Sequence, residues 1–325
     1  MKSRQLAAAI LAATGLLMAG AAASQTYPNR PIKLIVPWTP AGTVDIAARH
    51  LAERLTVRLG QPVVVENRAG ATGQVGSTAV VQSPPDGYTL LAMSATVHTF
   101  SPNLSKRFPF DPIDDFAVVS QIVSFPYVMV VPANSRFKAV ADVAAFARAN
   151  PDKTSYASFG LGSGPYMVSE LFAQSAGVQL LHVPYKGAAP AIIDLLSGQV
   201  DFFIDSLPSP LAQVRAGKLR ALAVTTPRRS NFLPDVPAMA ETIPGFDASV
   251  WLGIAAAPKT PREIVDRLNA EIRAISVDPV YVERLRNTGL EPAASASSDE
   301  FRAFLIAQKK YWGDFVQKAK IPLSD

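Results

Sequence analysis

Strand–loop–helix units recurring along a cysteine-free chain of 325 residues predict an α/β fold of parallel sheets divided between two lobes. Three observations carry that expectation. Short apolar runs alternate with helical stripes across small or Gly-rich loops. The chain is longer than a single hydrophobic core ordinarily serves. It also has no Cys, so the fold must stand on its core without disulfides, and 49% apolar residues suffice for that.

Ile32-Lys33-Leu34-Ile35-Val36 reads as a short buried strand, which two Pro and a Gly in Pro37-Trp38-Thr39-Pro40-Ala41-Gly42 bring to an end. Val44, Ala48, Leu51 and Leu55 then recur at helical spacing, with Arg49, Glu53 and Arg54 off that stripe. Residues 61–66 supply a second strand, and residues 88–93 a third, followed by the small polar loop Ser94-Ala95-Thr96. Residues 154–158 form a strand that enters the Gly-rich loop from Phe159 to Gly164, with a helix running on through Leu171. Residues 180–183 form a strand before Pro184-Tyr185-Lys186-Gly187. The next helix has Pro190 near its first turn, an apolar face of Ile192, Ile193, Leu195 and Leu196, and Gly198 as its stop. Further strands are expected over 200–204 and 219–225. In the last third, Thr260-Pro261-Arg262-Glu263 has capping-box spacing ahead of a helix buried through Ile264, Val265, Leu268, Ile272 and Ile275, and Ser297 to Glu300 repeats that spacing.

The N-terminus has its own signature. Lys2 and Arg4 precede an apolar run from Leu6 to Met18 that closes on Ala21-Ala22-Ala23, the order of a secretory signal peptide over residues 1–23. A membrane anchor would want a longer run and a charged stop-transfer flank. Removing Lys2 and Arg4 takes two of the 31 basic residues and lowers the formal charge from +5 to about +3. The remaining Lys and Arg are scattered, so the pI of 9.4 reflects a mildly basic surface and no nucleic-acid partner is expected.

Catalytic motifs are scarce. His50, His98 and His182 lie in no H-E-x-x-H or His/Cys arrangement, so no metal site is expected. The loop at Gly160–Gly164 fails both as a nucleophile elbow, with Leu161 two residues before Ser163 where the first Gly would stand, and as a dinucleotide fingerprint, with Pro165 in place of the final Gly. No cofactor is implied. What the loops do offer is backbone N–H groups at helix N-termini amid Gly, Ser and Thr, an arrangement that favours anions. Residues 38–44 and 158–168 contain no Lys or Arg, so an anion there would rest on amides and hydroxyls. Each loop alone is better read as an ordinary βα turn; together, in an exported α/β chain, they favour a binding cleft.

A set of longer stretches carries a resemblance: Tyr27-Pro28-Asn29-Arg30-Pro31-Ile32, the segment from Val36 to Asp45, Val64-Val65-Glu66-Asn67-Arg68-Ala69-Gly70-Ala71, Pro85-Asp86-Gly87-Tyr88-Thr89-Leu90-Leu91, His182-Val183-Pro184-Tyr185-Lys186-Gly187, the segment from Gly217 to Val224, and Leu233-Pro234-Asp235-Val236-Pro237. In this order they resemble the Bug family, the extracytoplasmic solute receptors of tripartite tricarboxylate transporters. The resemblance implies a two-lobed periplasmic binding protein of the type II "flytrap" fold, with residues 25–124 and 226–325 in one lobe and 125–225 in the other. It also implies a non-enzymatic, monomeric receptor in the periplasm that closes on a small organic acid and delivers it to integral membrane permease subunits.

Carried over position by position, the resemblance assigns Trp38, Thr39, Ala41, Gly42 and Asp45 to the ligand from the first lobe, with Ser94 and Thr96 nearby. From the second lobe it assigns Ser158, Gly162, Ser163, Tyr185, Lys186 and Asp205. The chain departs from the family pattern at three places. Ala41 stands in a usual Gly pair and restricts positive φ, so the amide geometry of the first loop is expected to differ slightly. Tyr166-Met167 replace His-Leu. Trp38 replaces a common Phe, a larger wall that would favour a flat or aromatic acid. Asp45 has two readings, a partner for a ligand amine or a helix-starting residue that complements the dipole, and the second is favoured. Two other readings stay open: an exported hydrolase using Ser163 or Ser158 with His182 as base, and a receptor serving a sensor kinase.

Overall fold

The computed structural model describes residues 27–323, so the expected signal peptide lies outside the described residues. In chain order the first part comprises β1 (Ile32–Val36), α1 (Thr43–Leu59), β2 (Val63–Asn67), α2 (Gln74–Val81), β3 (Thr89–Ser94) and β4 (Ala117–Phe125). The middle comprises β5 (Tyr127–Pro132), α3 (Val140–Ala149), β6 (Ser155–Ser158), α4 (Gly164–Ala176), β7 (Leu181–Pro184), α5 (Ala188–Ser197), β8 (Phe202–Ser206), α6 (Leu211–Arg215) and β9 (Leu219–Val224). The last part holds β10 (Val250–Ala256), α7 (Arg262–Ser276), α8 (Pro279–Asn287), β11 (Glu291–Pro292) and α9 (Ser298–Ala319).

Two sheets result, and each is the core of one lobe. The first has the order β11-β4-β10-β3-β1-β2 and the second β7-β6-β8-β5-β9. In the first, β1 lies between β2 and β3 and pairs in parallel with both, while β10 inserts antiparallel between β3 and β4. The second repeats this plan: β6 lies between β7 and β8 in parallel, and β5 runs antiparallel beside β8. The inserted strand of each sheet is thus the one that arrives directly from the other sheet. Pro126 alone separates β4 from β5, because a residue without N–H ends one ladder where the next begins.

Burial explains the pattern of residues. All six residues of β5 are buried, with Val128 and Val130 in one hydrophobic cluster and Met129 and Val131 in the other, so helices cover the second sheet on both faces. The α1 stripe turns Ala48, Leu51 and Leu55 inward, as its spacing predicts. α9 closes the first lobe, with Trp312 edge-on to Phe100 at 4.6 Å between centroids. No helix among the described residues is long and apolar enough to cross a membrane.

Three local expectations need correction. Residues 94–96 are not a loop: Ser94 ends β3, and Thr96 opens a π-helical turn over Thr96–Phe100. Thr260 caps nothing; its hydroxyl donates to the Ala257 carbonyl at 2.7 Å, and α7 starts after Pro261 without a side-chain cap. Ser297, by contrast, does accept from the Glu300 amide at 3.1 Å. The apolar face of α5 is only half covered, with Ala191 and Leu195 buried but Ile193 65% exposed. The continuous apolar strands β4, β5 and β10 were not separable by periodicity, since a fully buried strand does not alternate.

Candidate ligand-binding site

The parallel strands β1, β3, β6 and β8 all end toward the junction between the lobes, and the candidate residues sit at or just beyond those ends. Ala41, past β1, has φ 65°, a left-handed conformation that L-residues adopt at a cost. Its amide donates to Asp45 Oδ2 at 2.9 Å. Asp45 is 2% exposed; the same oxygen accepts from Arg49 Nε at 2.8 Å, and its Oδ1 accepts from Asn67 Nδ2, also at 2.8 Å. Burial pushes the Asp45 carboxyl up, but the bonds from Arg49, Asn67 and the Ala41 amide outweigh it and hold the group below its usual range. Asp45 therefore braces the loop. Asn67, which sequence reasoning did not single out, also donates to the Trp38 carbonyl at 3.1 Å; its only signal was its place at the end of the Val-Val-Glu-Asn run.

Trp38 Nε1 and Ser94 Oγ are buried atoms with no hydrogen-bond partner. The register of β1 against β3, Lys33 opposite Thr89 to Ile35 opposite Leu91, brings the segment past Val36 alongside the end of β3. Two buried polar groups left unmatched on adjacent strand ends are the mark of a site that expects a partner. Thr96, half-buried, opens the π-helical turn beside them.

The second lobe answers with the loop between β6 and α4. Gly160 (φ 97°) and Gly162 (φ 77°) give it its shape. Ser163 caps α4 and spends its hydroxyl locally, donating to the Gly160 carbonyl at 2.7 Å and accepting from the Phe159 amide at 3.3 Å. Ser158 is fully buried; its Oγ accepts from the Gly160 amide at 2.9 Å and lies 2.5 Å from His182 Nε2. Burial lowers the His182 pKa, which leaves the ring neutral and able to accept the Ser158 proton. The N–H groups of Thr39 and Gly42 on one loop, and of Leu161 and Gly162 on the other, have no partner among the described residues.

The remaining candidates divide. Tyr185 turns its hydroxyl to Asp194 at 2.9 Å, and burial together with that carboxylate pushes the phenol up to about 12. Lys186 is exposed. Asp205, 3% exposed at the end of β8, faces no cation among the described residues, and burial raises its pKa to about 7 despite bonds from Ser206. Beside it, Ser206 Oγ lies 3.2 Å from Thr43 Oγ1, a contact that joins β8 of one lobe to the first residue of α1 in the other. Ser101 Oγ makes a second crossing to the Gly162 carbonyl at 3.3 Å. Neither crossing was legible as a pair in the sequence.

Residues 47–321 match the tripartite tricarboxylate transporter family receptor. The chain belongs to this family. It is 42% identical to a UPF0065 protein of the tcbD–tcbE intergenic region of Pseudomonas sp., over 83% of this chain and 81% of the relative. It is 36% identical to protein BugT of Bordetella pertussis, over 95% of this chain and 97% of that protein. Among solved structures, R. palustris Rpa4515 with adipate superposes with a TM-score of 0.86 at 34% identity, covering 92% of this chain and all of that one. MatC from Rhodopseudomonas palustris with bound malate superposes at 0.81 and 28% identity, covering 89% of this chain and all of that one. As a Bug-type receptor, the protein has the two-lobed periplasmic binding fold, and its role is solute binding.

Proposed function

We propose that the protein works in the periplasm, where it captures a small organic carboxylate between its lobes and hands it to the membrane permease of a tripartite tricarboxylate-type transporter. On this reading the lobes are residues 25–124 with 226–325, and residues 125–225, and the stretch of the first that carries Phe232, Leu233, Val236 and Ala238 packs against the core of the second. The observation that carries the reading is the set of unpaired amides at Thr39, Gly42, Leu161 and Gly162, two on each side of the junction, next to the unmatched Trp38 Nε1. Neither loop holds a cation, so a carboxylate would be read by direction rather than by a salt bridge. Relatives of the same fold hold adipate and malate. Closure is needed for affinity because each lobe supplies only half of the donors.

One observation favours a second reading: Ser158 and His182 are in contact as a nucleophile and base would be. Against hydrolysis, Ser158 is fully buried, its oxygen is already engaged by Gly160, and His182 Nδ1 has no orienting carboxylate among the described residues. The test is calorimetry and thermal unfolding of ligand-stripped protein against mono-, di- and tricarboxylates, with ester hydrolysis followed in parallel. At least one carboxylate should raise the melting temperature in a concentration-dependent way. Turnover of an ester, or no response to any acid, would overturn the receptor reading. Uptake assays after deletion of the permease genes separate transport from delivery to a sensor kinase.

A further inference from the structure

The turn that carries the unpaired Leu161 and Gly162 amides is anchored at Gly160, and two serines hold it there. Ser163 Oγ donates to the Gly160 carbonyl at 2.7 Å, and Ser158 Oγ accepts from the Gly160 amide at 2.9 Å. Gly160 has φ 97°, where a residue without Cβ is free to rotate, so the direction of its peptide rests on these contacts. Ser158 ends β6 and is fully buried, and accepting one amide leaves its own proton to be placed. Among the described residues the acceptor for that proton is His182 Nε2, at 2.5 Å. A neutral ring that accepts at Nε2 carries its own proton on Nδ1.

Strand pairing puts the imidazole in that place. β6 and β7 run parallel with Tyr156 opposite His182, so Ser158, two residues further along β6, lies on the same face as both rings. Tyr156 stacks on the imidazole at 5.2 Å between centroids, and Tyr166 from α4 meets it edge-on at 5.0 Å. The titratable groups around it are these two phenols and Glu170 of α4, which accepts from the Tyr156 hydroxyl at 2.5 Å. Burial pushes both phenols up, Tyr166 to about 12, and raises the Glu170 carboxyl. Burial alone lowers the His182 pKa, with no charged neighbour opposing it among the described residues. A phenylalanine would fill the same packing; what it lacks is the lone pair.

We propose that His182 is a positioning residue for ligand capture: by taking the Ser158 proton it fixes the Ser158 hydroxyl, through it the Gly160 peptide, and so the direction of the Leu161 and Gly162 donors. The inference rests on the carboxylate reading of the cleft and deepens it. Without an acceptor at Nε2, the buried Ser158 hydroxyl turns its proton toward a backbone carbonyl and withdraws its lone pair from the Gly160 amide. Gly160 is then free to follow, and the two donors beyond it lose their common direction. Donors aimed before the ligand arrives bind it more tightly than donors that must be ordered on contact. His182 thus acts on affinity from one strand behind the loop, through Ser158 and without touching the ligand.

The test is calorimetry with acetate, benzoate, malate, adipate and citrate on wild type, His182→Phe, His182→Gln, Ser158→Ala and the double variant Ser158→Ala/His182→Phe. His182→Phe should weaken the tightest of these acids about tenfold, the range of one hydrogen bond. His182→Gln, whose amide oxygen reaches the place of Nε2, should restore part of that loss. Because His182 acts through Ser158, the double variant should bind no more weakly than Ser158→Ala alone. Nitrogen-15 NMR of the ligand-free protein gives a second reading: His182 should carry its proton on Nδ1, and the Gly160 to Gly162 amide signals should move more in His182→Phe than in His182→Gln. Wild-type affinity in His182→Phe, additive losses in the double variant, or a proton on Nε2 would overturn the inference while the receptor reading stands. If none of these acids binds wild type, the receptor reading fails and the inference falls with it.

Discussion

Asp45 holds Ala41 in a left-handed turn, its Oδ2 accepting the Ala41 amide at 2.9 Å, and the two residues together fix the direction of the loop that follows β1. A Cβ at φ 65° costs about 1–2 kcal/mol, and replacing Ala by Gly returns roughly 0.4–1 kcal/mol of that as unfolded-chain entropy. Ala41→Gly should therefore stabilise the ligand-free protein by up to about 1 kcal/mol, read as a rise in melting temperature. Asp45→Asn should do the reverse. It removes the charge that the half-exposed Arg49 and the loop amide share, at a cost of about 1–3 kcal/mol, and carboxylate affinity should fall with it. The Asp45 pKa lies below its unfolded value, so this contribution is present above about pH 4 and lost as the pH falls through the folded value.

Thr225 staples the two chain crossings. Its Oγ1 accepts from the Tyr127 amide at 2.9 Å and lies 3.1 Å from the Ala248 carbonyl, and its own amide donates to the Tyr127 carbonyl. Tyr127 opens β5 directly after the first crossing, and Thr225 follows β9 at the start of the second. Thr225→Val keeps the shape but leaves the Tyr127 N–H buried and unmatched, so it should destabilise by about 1–3 kcal/mol, while Thr225→Ser should be close to wild type. Urea unfolding of the three proteins checks this.

Gly164 is required by Tyr127. A Cβ on Gly164 would stand 1.7 Å from the phenolic oxygen, closer than any non-bonded pair allows. Gly164→Ala should cost about 1–3 kcal/mol by overpacking, even though Ala is the better helix former. Combining it with Tyr127→Phe should recover part of the loss, a non-additivity that a double-mutant cycle reads directly.

Much of the scaffold was legible because its signals are local. The α1 stripe, the stop of α5 at Gly198 (φ 77°) and the Ser297 cap each depend on residues within a few positions of one another. The site was legible as a set of loops but not as a set of contacts. Ser158 meets His182 only because β6 pairs with β7 in the register that sets Ser158 opposite Pro184, and no local pattern specifies which strands pair. The capping role of the Ser163 hydroxyl follows from a Ser three residues before the amide it accepts.

Asp205 sets the last expectation, a stability that falls as the pH rises. Burial lifts its pKa from an ordinary 3.8 to about 7, so between those values the native chain holds a proton that the unfolded chain has released. With more protons bound in the native state, unfolding becomes easier as pH increases; the penalty is absent below about pH 4 and complete above about pH 7. At 1.36 kcal/mol per pH unit its ceiling is about 4 kcal/mol. Glu170, also raised by burial, acts in the same direction and Asp45 in the opposite one, so the wild-type profile alone does not isolate Asp205. The difference between wild type and Asp205→Asn does. The two should melt together at pH 4, and the variant should gain progressively to pH 7 and hold its lead at pH 8. A constant difference across that range would mean that Asp205 keeps its charge, and that the contact from Ser206 to Thr43 across the lobes closes over a carboxylate rather than an acid.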